Sequence, residues 1–253
     1  MALHYRTIGF VLKKNDIGEA DRIFTVFTLD FGKVKISGKA IRKIASKLKG
    51  GIDVISLSEI EFIQGKAYKT LTDSVILDKF ENIKKSLTKL KISYKIAKSL
   101  DNLLRIEEKD ENLWRLLKEV FGKLDNWEQE KKSWKLQIVY YYFLWNFFSV
   151  LGYQPELYKC ASCQKKLIAS FLYFSAEEGG IVCPKCANGK KKINADVVKI
   201  LRLILKKDWL ILFKLKIQPT SWKLLKEVSE HYYSHLLSIH SFEEDFQKDN
   251  EPL

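Results

Sequence analysis

The sequence lacks the short motifs by which the common hydrolases are recognised. No G-x-x-x-x-G-K-[ST] loop is present, which argues against ATP hydrolysis, and neither H-E-x-x-H nor a serine nucleophile elbow occurs. His231 and His235 stand four residues apart with His240 nearby, but Tyr232 takes the place of the general-base glutamate of a metalloprotease. We interpret these histidines as surface or packed side chains, and we expect no catalytic residues and no enzymatic activity.

A leader and a membrane span are also missing from the pattern. Residues 1–6 lead directly into strand-like sequence without an apolar segment or a cleavage site. Residues 136–155 carry no charge, but Gln137, Asn146 and Gln154 interrupt them, whereas a spanning helix needs about 20 mostly apolar residues. We therefore expect a buried helix there, and a cytoplasmic protein without membrane contact.

Acidic residues are absent from a stretch that is rich in basic ones. The chain has a formal net charge of +13, which indicates a polyanionic partner but could also reflect a lysine-rich proteome. Between residues 31 and 50 there are seven lysines and arginines and no Asp or Glu, and the first lysines alternate with apolar residues along a predicted strand. We predict that these seven residues bind DNA: Lys33, Lys35, Lys39, Arg42, Lys43, Lys47 and Lys49.

The first 79 residues have the pattern of a small β-barrel. Short runs of β-branched and aromatic residues alternate with turn signals. Ile41, Ile44 and Leu48 have helical spacing, which predicts a short helix at residues 39–49, between strands three and four. Five strands with a helix in this position indicate an OB-fold. The predicted strands are residues 5–12, 22–29, 33–38, 55–63 and 69–76.

From residue 80 onward the apolar spacing changes to that of helices. The predicted domains are therefore 1–79 and 80–253, and the predicted class is α+β and multi-domain, with an N-terminal OB-fold β-barrel and a C-terminal helical bundle. Asn194 is predicted to cap one helix, and Thr220 or Ser221 to cap the last. Other helices are predicted within residues 80–104, 113–121 and 134–151.

All four cysteines lie within 27 residues. Cys160 and Cys163 form one C-x2-C pair, and Cys183 and Cys186 form a second after 19 intervening residues, which is the spacing of a zinc ribbon. Four thiolates complete the tetrahedron of one structural Zn²⁺ ion in a module at about residues 156–190, inserted in the helical domain. Unmetallated thiols or two disulfides are the alternatives. Four nearby lysines could support the thiolates or contact phosphate: Lys159, Lys165, Lys166 and Lys185.

Two further sets of side chains have open interpretations. Barrel aromatics could stack on bases, although most of them are expected in the core. Alternating carboxylates on the strands could suggest a nuclease, but without an accompanying His or Lys constellation we favour solvent-facing positions. The aromatics are Tyr5, Phe10, Phe24, Phe27, Phe31 and Tyr68, and the carboxylates are Glu19, Asp21, Glu59 and Glu61.

Three stretches together carry a resemblance to the RecO family of bacterial DNA repair proteins, which are recombination mediators. The first is D-I-G-E-A-D-R-I at residues 16–23 with Thr28 and Gly32-Lys33, and the second is G-K-A-I-R-K at residues 38–43. The third joins G-Y-Q-P at residues 152–155, both cysteine pairs and G-G-I-V at residues 179–182. Two departures are Gln164, where the family commonly has glycine, and residues 52–54, which replace a proline-containing segment.

The resemblance implies an OB-fold, a helical domain and a zinc module. It implies binding to single- and double-stranded DNA, annealing of complementary strands, and cooperation with RecR so that RecA replaces single-strand-binding protein (SSB) on DNA. It also implies docking of the SSB C-terminal tail on the helical domain, no nucleotide cofactor, and association with the nucleoid.

Two other function classes remain open from the residues. One is a zinc-ribbon module of the transcription or translation machinery, which would bind nucleic acid or protein without annealing strands. The other is a metal-dependent nuclease, which cleavage of labelled DNA with Mg²⁺ or Mn²⁺ would identify.

Overall fold

The chain folds into two compact units, Met1–Leu136 and Gln137–Leu253. The computed structural model describes residues 3–65, 69–127, 133–169 and 171–248, and for residues 133–134 and 241–248 it describes the backbone alone. The predicted domain boundary at residue 79 lies where strands give way to helices, whereas the first compact unit continues through three further helices.

The first unit contains a closed five-stranded barrel with the strand order β1-β2-β3-β5-β4, which confirms the predicted OB-fold barrel. Neighbouring strands are antiparallel except β3 and β5, which are parallel. Inward side chains at alternate positions, such as Phe24, Val34 and Ile36, fill the interior. The strands are β1 (His4–Ile17), β2 (Asp21–Thr28), β3 (Gly32–Gly38), β4 (Leu57–Ile63) and β5 (Lys69–Asp78).

Three helices belong to the same unit as the barrel: α1 (Glu81–Lys85), α2 (Leu87–Leu103) and α3 (Glu111–Asp125). They cover apolar residues on the outside of the barrel. The ring of Phe10 in β1 lies 5.0 Å from that of Trp114 and 5.3 Å from that of Phe121, both in α3. The amphipathic spacing that predicted helices here therefore serves to pack them on a strand.

Gly32 fixes the turn between β2 and β3 against the loop that precedes α3. Its φ of +61° lies in the left-handed region. A Cβ at this position would lie 2.1 Å from the carbonyl oxygen of Glu108. Glycine is therefore required at position 32 for two reasons: the backbone is left-handed, and the neighbouring carbonyl leaves no space for a side chain.

The second unit is built around α4 (Ser133–Val150), which contains most of the charge-free stretch at residues 136–155. Its aromatic side chains from Tyr141 to Phe148 are buried and Tyr140 is half-buried, which confirms the predicted buried helix. The Trp145 indole donates a hydrogen bond to the Ser229 hydroxyl at 2.9 Å, and Asn146 donates to the Ile204 carbonyl at 3.1 Å. The other helices are α5 (Ala195–Leu205), α6 (Trp209–Lys214) and α7 (Pro219–Lys248). None of the helices in the described part of the chain combines the length and apolar character that a membrane crossing requires.

A small sheet in the second unit carries the cysteine pairs. Its strands are β6 (Leu172–Ser175), β7 (Gly180–Val182) and β8 (Lys191–Ile193), in the order β7-β6-β8. Strands β6 and β7 form an antiparallel hairpin between the two cysteine pairs. Phe174 of β6 packs edge-on against Trp145 at 5.9 Å, so α4 anchors the sheet.

The helix caps were predicted with mixed success. The Asn194 side chain accepts a hydrogen bond from the Val197 N–H at 2.9 Å, as predicted for α5. The predicted caps of α7 were wrong, because that helix begins at Pro219 and contains both Thr220 and Ser221. Proline suits a first helical position, since it lacks only an N–H that would have no partner within the helix.

Candidate nucleic-acid interface and metal centre

Most of the predicted basic residues form an exposed surface on the barrel. We call the six exposed residues the barrel basic surface: Lys35, Lys39, Arg42, Lys43, Lys47 and Lys49. Lys35 projects outward from β3 between the inward-facing Val34 and Ile36, as its alternation predicted. Within the described ranges none of the five lysines forms an ion pair, so their charge is uncompensated and can act on phosphates.

Lys33 does not belong to this surface, which corrects its prediction as a DNA-binding residue. The residue is buried, with 7% of its surface exposed, and its ammonium donates a hydrogen bond to the Asp101 carbonyl at 2.8 Å. That carbonyl lies in the last turn of α2, where backbone oxygens lack partners within the helix. The alternation placed Lys33 outside the barrel correctly, but α2 covers this part of β3.

The short helix predicted at residues 39–49 was also wrong. Residues 39–45 form turns and bends, and a single 3-10 turn follows at Lys47–Gly50. Ile41 is buried and Leu48 half-buried, but Ile44 is fully exposed. The apolar spacing therefore reflects two separate anchors and not one helix face.

The loop after β3 is tied to the β1–β2 hairpin by hydrogen bonds. The Asp21 carboxylate accepts from the Ala40 N–H at 2.7 Å, and Ala40 has a φ of +52° that ends regular structure. The Arg42 guanidinium donates to the Gly18 carbonyl at 3.0 Å and lies 3.5 Å from Asp16. The motif segments at residues 16–23 and 38–43 therefore form one site, in which Arg42 positions the loop besides carrying charge.

Asp16 is the anionic centre of this hairpin site. Arg22 donates a hydrogen bond to it at 2.6 Å, and that bond lowers the pKa of Asp16. Burial acts in the opposite direction, while the charges of Arg22, Arg42 and Lys14 lower the pKa further. Asp16 therefore stays ionised and holds two arginines in place.

The candidate stacking aromatics are mostly core residues. Phe10, Phe24 and Phe27 are buried, and Tyr68 lies outside the described residues. Tyr5 and Phe31 are half-buried, with ring centres 5.5 Å apart, and line a cavity of about 370 Å³. Among the described members of the predicted set, those two are the ones that a base could reach.

Three of the four carboxylates considered for a nuclease have structural partners, and the fourth, Glu19, is exposed. Glu59 and Glu61 of β4 both pair with Arg6 of β1, and Asp21 holds the loop through Ala40. Among the described residues, the four cysteines are the group of potential metal ligands that the fold brings together, and neither these carboxylates nor the histidines join it. The geometry thus gives no support to a nuclease centre here.

The four predicted metal ligands, Cys160, Cys163, Cys183 and Cys186, lie together. Their sulfur atoms are all within 4.8 Å of one another. Two sulfurs, those of Cys163 and Cys183, are 3.8 Å apart, which is too long for a disulfide bond. It matches the edge of a tetrahedron with metal–sulfur bonds of about 2.3 Å, an edge of roughly 3.8 Å. The cluster could therefore hold a metal ion.

Backbone N–H groups stabilise negative charge at the buried sulfur of the cluster. Burial raises the pKa of the Cys160 thiol, but hydrogen bonds from the N–H groups of Cys163 and Cys183 outweigh it and bring the pKa to about 6. The Ser162 hydroxyl lowers the pKa of Cys186, whereas neighbouring sulfurs raise it to about 11. The four lysines around the pairs are exposed: Lys159, Lys165, Lys166 and Lys185.

Sequence reasoning missed a second basic region, which lies on α1 and α2. Residues 82–100 contain six lysines and no Asp or Glu, the same signal that identified residues 31–50. Lys13, Lys14 and Lys98 surround a cavity of about 550 Å³ next to α2. The apolar spacing of this stretch predicted a helix, and no binding role was predicted for its lysines.

Comparison with known proteins gives a consistent result for both parts of the chain. Residues 1–80 match the family described as "Recombination protein O N terminal", and residues 85–242 match "Recombination protein O C terminal". A "DNA repair protein RecO" of Dehalococcoides mccartyi is 34% identical over 215 residues, covering 84% of this chain and 83% of the relative. Proteins of the same name from Thermoanaerobacter sp. (27% over 248 residues, 95% and 96% covered) and Halalkalibacterium halodurans (24% over 241 residues, 94% and 92%) are also similar.

Proposed function

This chain belongs to the RecO family of recombination proteins, which ties it to DNA repair and recombination, and we propose that it is a DNA-binding recombination mediator. It binds single- and double-stranded DNA and anneals complementary strands without ATP. The observation that carries this proposal is the barrel basic surface: uncompensated lysines on an OB-fold, a barrel type that binds oligonucleotides.

The proposed mechanism is electrostatic. Two strands repel each other through their phosphates, and a shared cationic surface lowers that repulsion so that bases can pair. Each neutralised phosphate releases counterions, so log K falls with log salt by about 0.7 per contact on a single strand. Four to six contacts on the barrel basic surface therefore correspond to a slope of roughly −3 to −4.

The metal of the cysteine cluster is proposed to be a single Zn²⁺ ion with a structural role. Four thiolates are the ligand set of closed zinc sites, and they leave no position for water or substrate. Bound zinc supplies cross-links among the two cysteine turns, while the sheet and α4 hold those turns in place.

The partners are proposed from the family alone. In this proposal RecR acts with the protein to help RecA replace SSB on single-stranded DNA, and the SSB tail docks on the helical region. The protein is not an enzyme in this proposal, and it works at the nucleoid.

The first experiment is annealing of two complementary labelled oligonucleotides without ATP across a salt series. We expect fast, salt-sensitive annealing that the Lys39→Glu/Lys43→Glu variant loses, because its charge change falls on the barrel basic surface. Arg42 is left intact, since it holds the loop to the hairpin. The matched control is Lys118→Glu/Lys123→Glu, with the same charge change on exposed positions of α3.

Three results would contradict the proposal in different ways. DNA binding without annealing would favour a zinc-ribbon interaction module. Equal loss in both charge variants would show that total charge, and not this surface, binds DNA. Cleavage of the labelled strands with Mg²⁺ or Mn²⁺ would overturn the non-enzymatic assignment.

A further inference from the structure

Helix α2 exposes a basic stripe that carries an aromatic ring. Lys91, Tyr94, Lys95 and Lys98 are exposed and are spaced three and four residues apart, so they share one face. The opposite face, which includes Ile96, is buried. Tyr94 is 50% exposed, which distinguishes it from the core aromatics of this unit.

A cavity of about 550 Å³ adjoins this stripe and has an apolar floor with a basic rim. The floor is formed by Leu12, Val54 and Ala97, which are all buried. Tyr94 also lines the cavity, and because half of its surface is exposed, a ligand can reach the side chain. The charged lining residues are Lys13, Lys14, Lys98 and Asp101.

The charges at the rim favour an anionic ligand. Lys13 pairs with Asp101 at 3.1 Å and Lys14 with Asp53 at 2.9 Å. Both pairs are exposed enough to be worth little, so a phosphate can compete for these lysines. Lys98 forms no ion pair among the residues that the structure describes, so its charge is uncompensated.

The barrel register connects this cavity to the barrel basic surface. Lys13 of β1 is paired with Thr25 of β2, and Thr25 is paired with Lys35 of β3. Residues paired in this way project to the same side of a sheet, and strands lie about 4.8 Å apart. Lys13 and Lys35 are therefore roughly 10 Å apart along one row, with Lys13 belonging to the cavity and Lys35 to the basic surface.

We propose that the α2 stripe and its cavity form a second contact site for single-stranded nucleic acid, in which a base stacks on Tyr94. Lys98, Lys13 and Lys14 contact the flanking phosphates, and the strand continues over Lys35 onto the barrel basic surface. Aromatic platforms within cationic grooves are the recognised means of binding single strands without sequence preference. The site deepens the proposed function, because it adds a contact to the same ligand.

The test compares single-strand affinity of Tyr94→Ala, Tyr94→Phe and wild type at one salt concentration. Stacking of one base is worth about 1–3 kcal/mol, so Tyr94→Ala is expected to weaken binding by about 5- to 150-fold. Tyr94→Phe keeps the ring and is expected to bind within about threefold of wild type. Photo-crosslinking of bromodeoxyuridine-substituted oligonucleotides should label the peptide that contains Tyr94.

Failure of this site can be told apart from failure of the proposed function. Unchanged affinity in Tyr94→Ala, together with no crosslink in α2, would overturn the second site, even while Lys39→Glu/Lys43→Glu loses binding. Absence of any single-strand binding by the wild type at low salt would overturn both. Thermal unfolding of each variant shows whether a loss of affinity is due to misfolding. If Tyr94→Ala does not fold, Tyr94→Phe still tests the site, because it is expected to fold and to bind with wild-type affinity.

Discussion

At the scale of residues, lysine has two roles in the first unit. Lys33 and Lys89 are buried and donate to backbone carbonyls at helix ends, Lys33 to Asp101 in α2 and Lys89 to Asp125 at the end of α3. A cation there satisfies carbonyls that lack partners in the helix and opposes the negative end of the helix dipole. The two lysine-rich, acid-free stretches at residues 31–50 and 82–100 therefore each contain a buried lysine that stabilises the fold.

Exchange of Lys33 for methionine separates these two roles. Methionine keeps an aliphatic chain but leaves the Asp101 carbonyl without its donor, so Lys33→Met should lower the free energy of unfolding by about 1–3 kcal/mol. Lys35→Met, on an exposed position of the same strand, should change it by less than about 0.5 kcal/mol. Urea unfolding measures both values.

The salt dependence of DNA binding should change in the opposite order for Lys33→Met and Lys35→Met. Lys35→Met should reduce the salt slope by about 0.7, which corresponds to one phosphate contact on a single strand, and Lys33→Met should leave it unchanged. If Lys33→Met instead reduced the slope without loss of stability, Lys33 would be a DNA contact after all.

Gln164 is a residue in a strained conformation. Its φ is +60°, in the left-handed region that favours glycine, directly after the second cysteine. Its side chain donates to the Ala161 carbonyl at 3.2 Å, which offsets part of the strain. Gln164, where the RecO pattern commonly has glycine, therefore adopts the conformation that suits glycine.

Substitution at position 164 should reveal this strain. Gln164→Gly should raise the stability of the second unit by up to about 1 kcal/mol, since the cost of the left-handed residue exceeds the entropy that glycine loses. Gln164→Val, which is β-branched, should lower it. Thermal unfolding of the metal-bound protein compares the three, and a glycine variant less stable than wild type would mean that the Ala161 hydrogen bond outweighs the strain.

At the scale of elements, the apolar pattern of the sequence predicted those strands whose side chains pack in the barrel interior. Alternation of apolar residues gave all five barrel strands, because one face of each strand must fill the barrel. It missed the last five residues of β1, Lys13–Ile17, which follow a bulge and are exposed on both faces. These residues pair with β2 in a hairpin that has no buried face. Apolar and polar residues therefore do not alternate here, and the sequence gives no strand signal.

The loop after β3 failed as a prediction for a different reason. Ile41, Ile44 and Leu48 have helical spacing, but the backbone follows long-range partners instead. Asp21 captures the Ala40 N–H, and Arg42 is held by the β1–β2 hairpin. Such contacts join residues about 20 positions apart, and single-sequence periodicity does not contain them.

The candidate sites were predicted to different extents because their signals differ in kind. A C-x2-C pair encodes its own turn, so the clustering of the four sulfur atoms could be predicted from the spacing of the two pairs. A run of lysines in the sequence does not show which of them a neighbouring helix covers. For this reason Lys33 was predicted to be exposed together with the other lysines. The α2 stripe has the same charge signal, and its exposure on one face became visible only with the helix packed on the barrel.

At the scale of the whole molecule, the division into two compact units separates the proposed DNA contacts from the metal centre. The barrel basic surface and the α2 stripe belong to Met1–Leu136, and the cysteine cluster belongs to Gln137–Leu253. Loss of metal should therefore act on the stability of the second unit and spare single-strand binding by the first.

Replacement of one ligand tests this separation. The wild type, with four thiolates, should contain one zinc ion per chain. Cys183→Ser removes one of the four thiolates, so this variant should contain very little zinc. Zinc contributes on the order of 10 kcal/mol to isolated finger peptides, and because β6 also packs on α4 we expect a smaller loss here, at least about 3 kcal/mol in the second unit. Lys185→Ala is the matched control, since it lies between two ligands and binds no metal. Single-strand affinity of Cys183→Ser should stay near that of wild type, whereas a normally stable Cys183→Ser, with no metal in either form, would refute the structural role of the cluster.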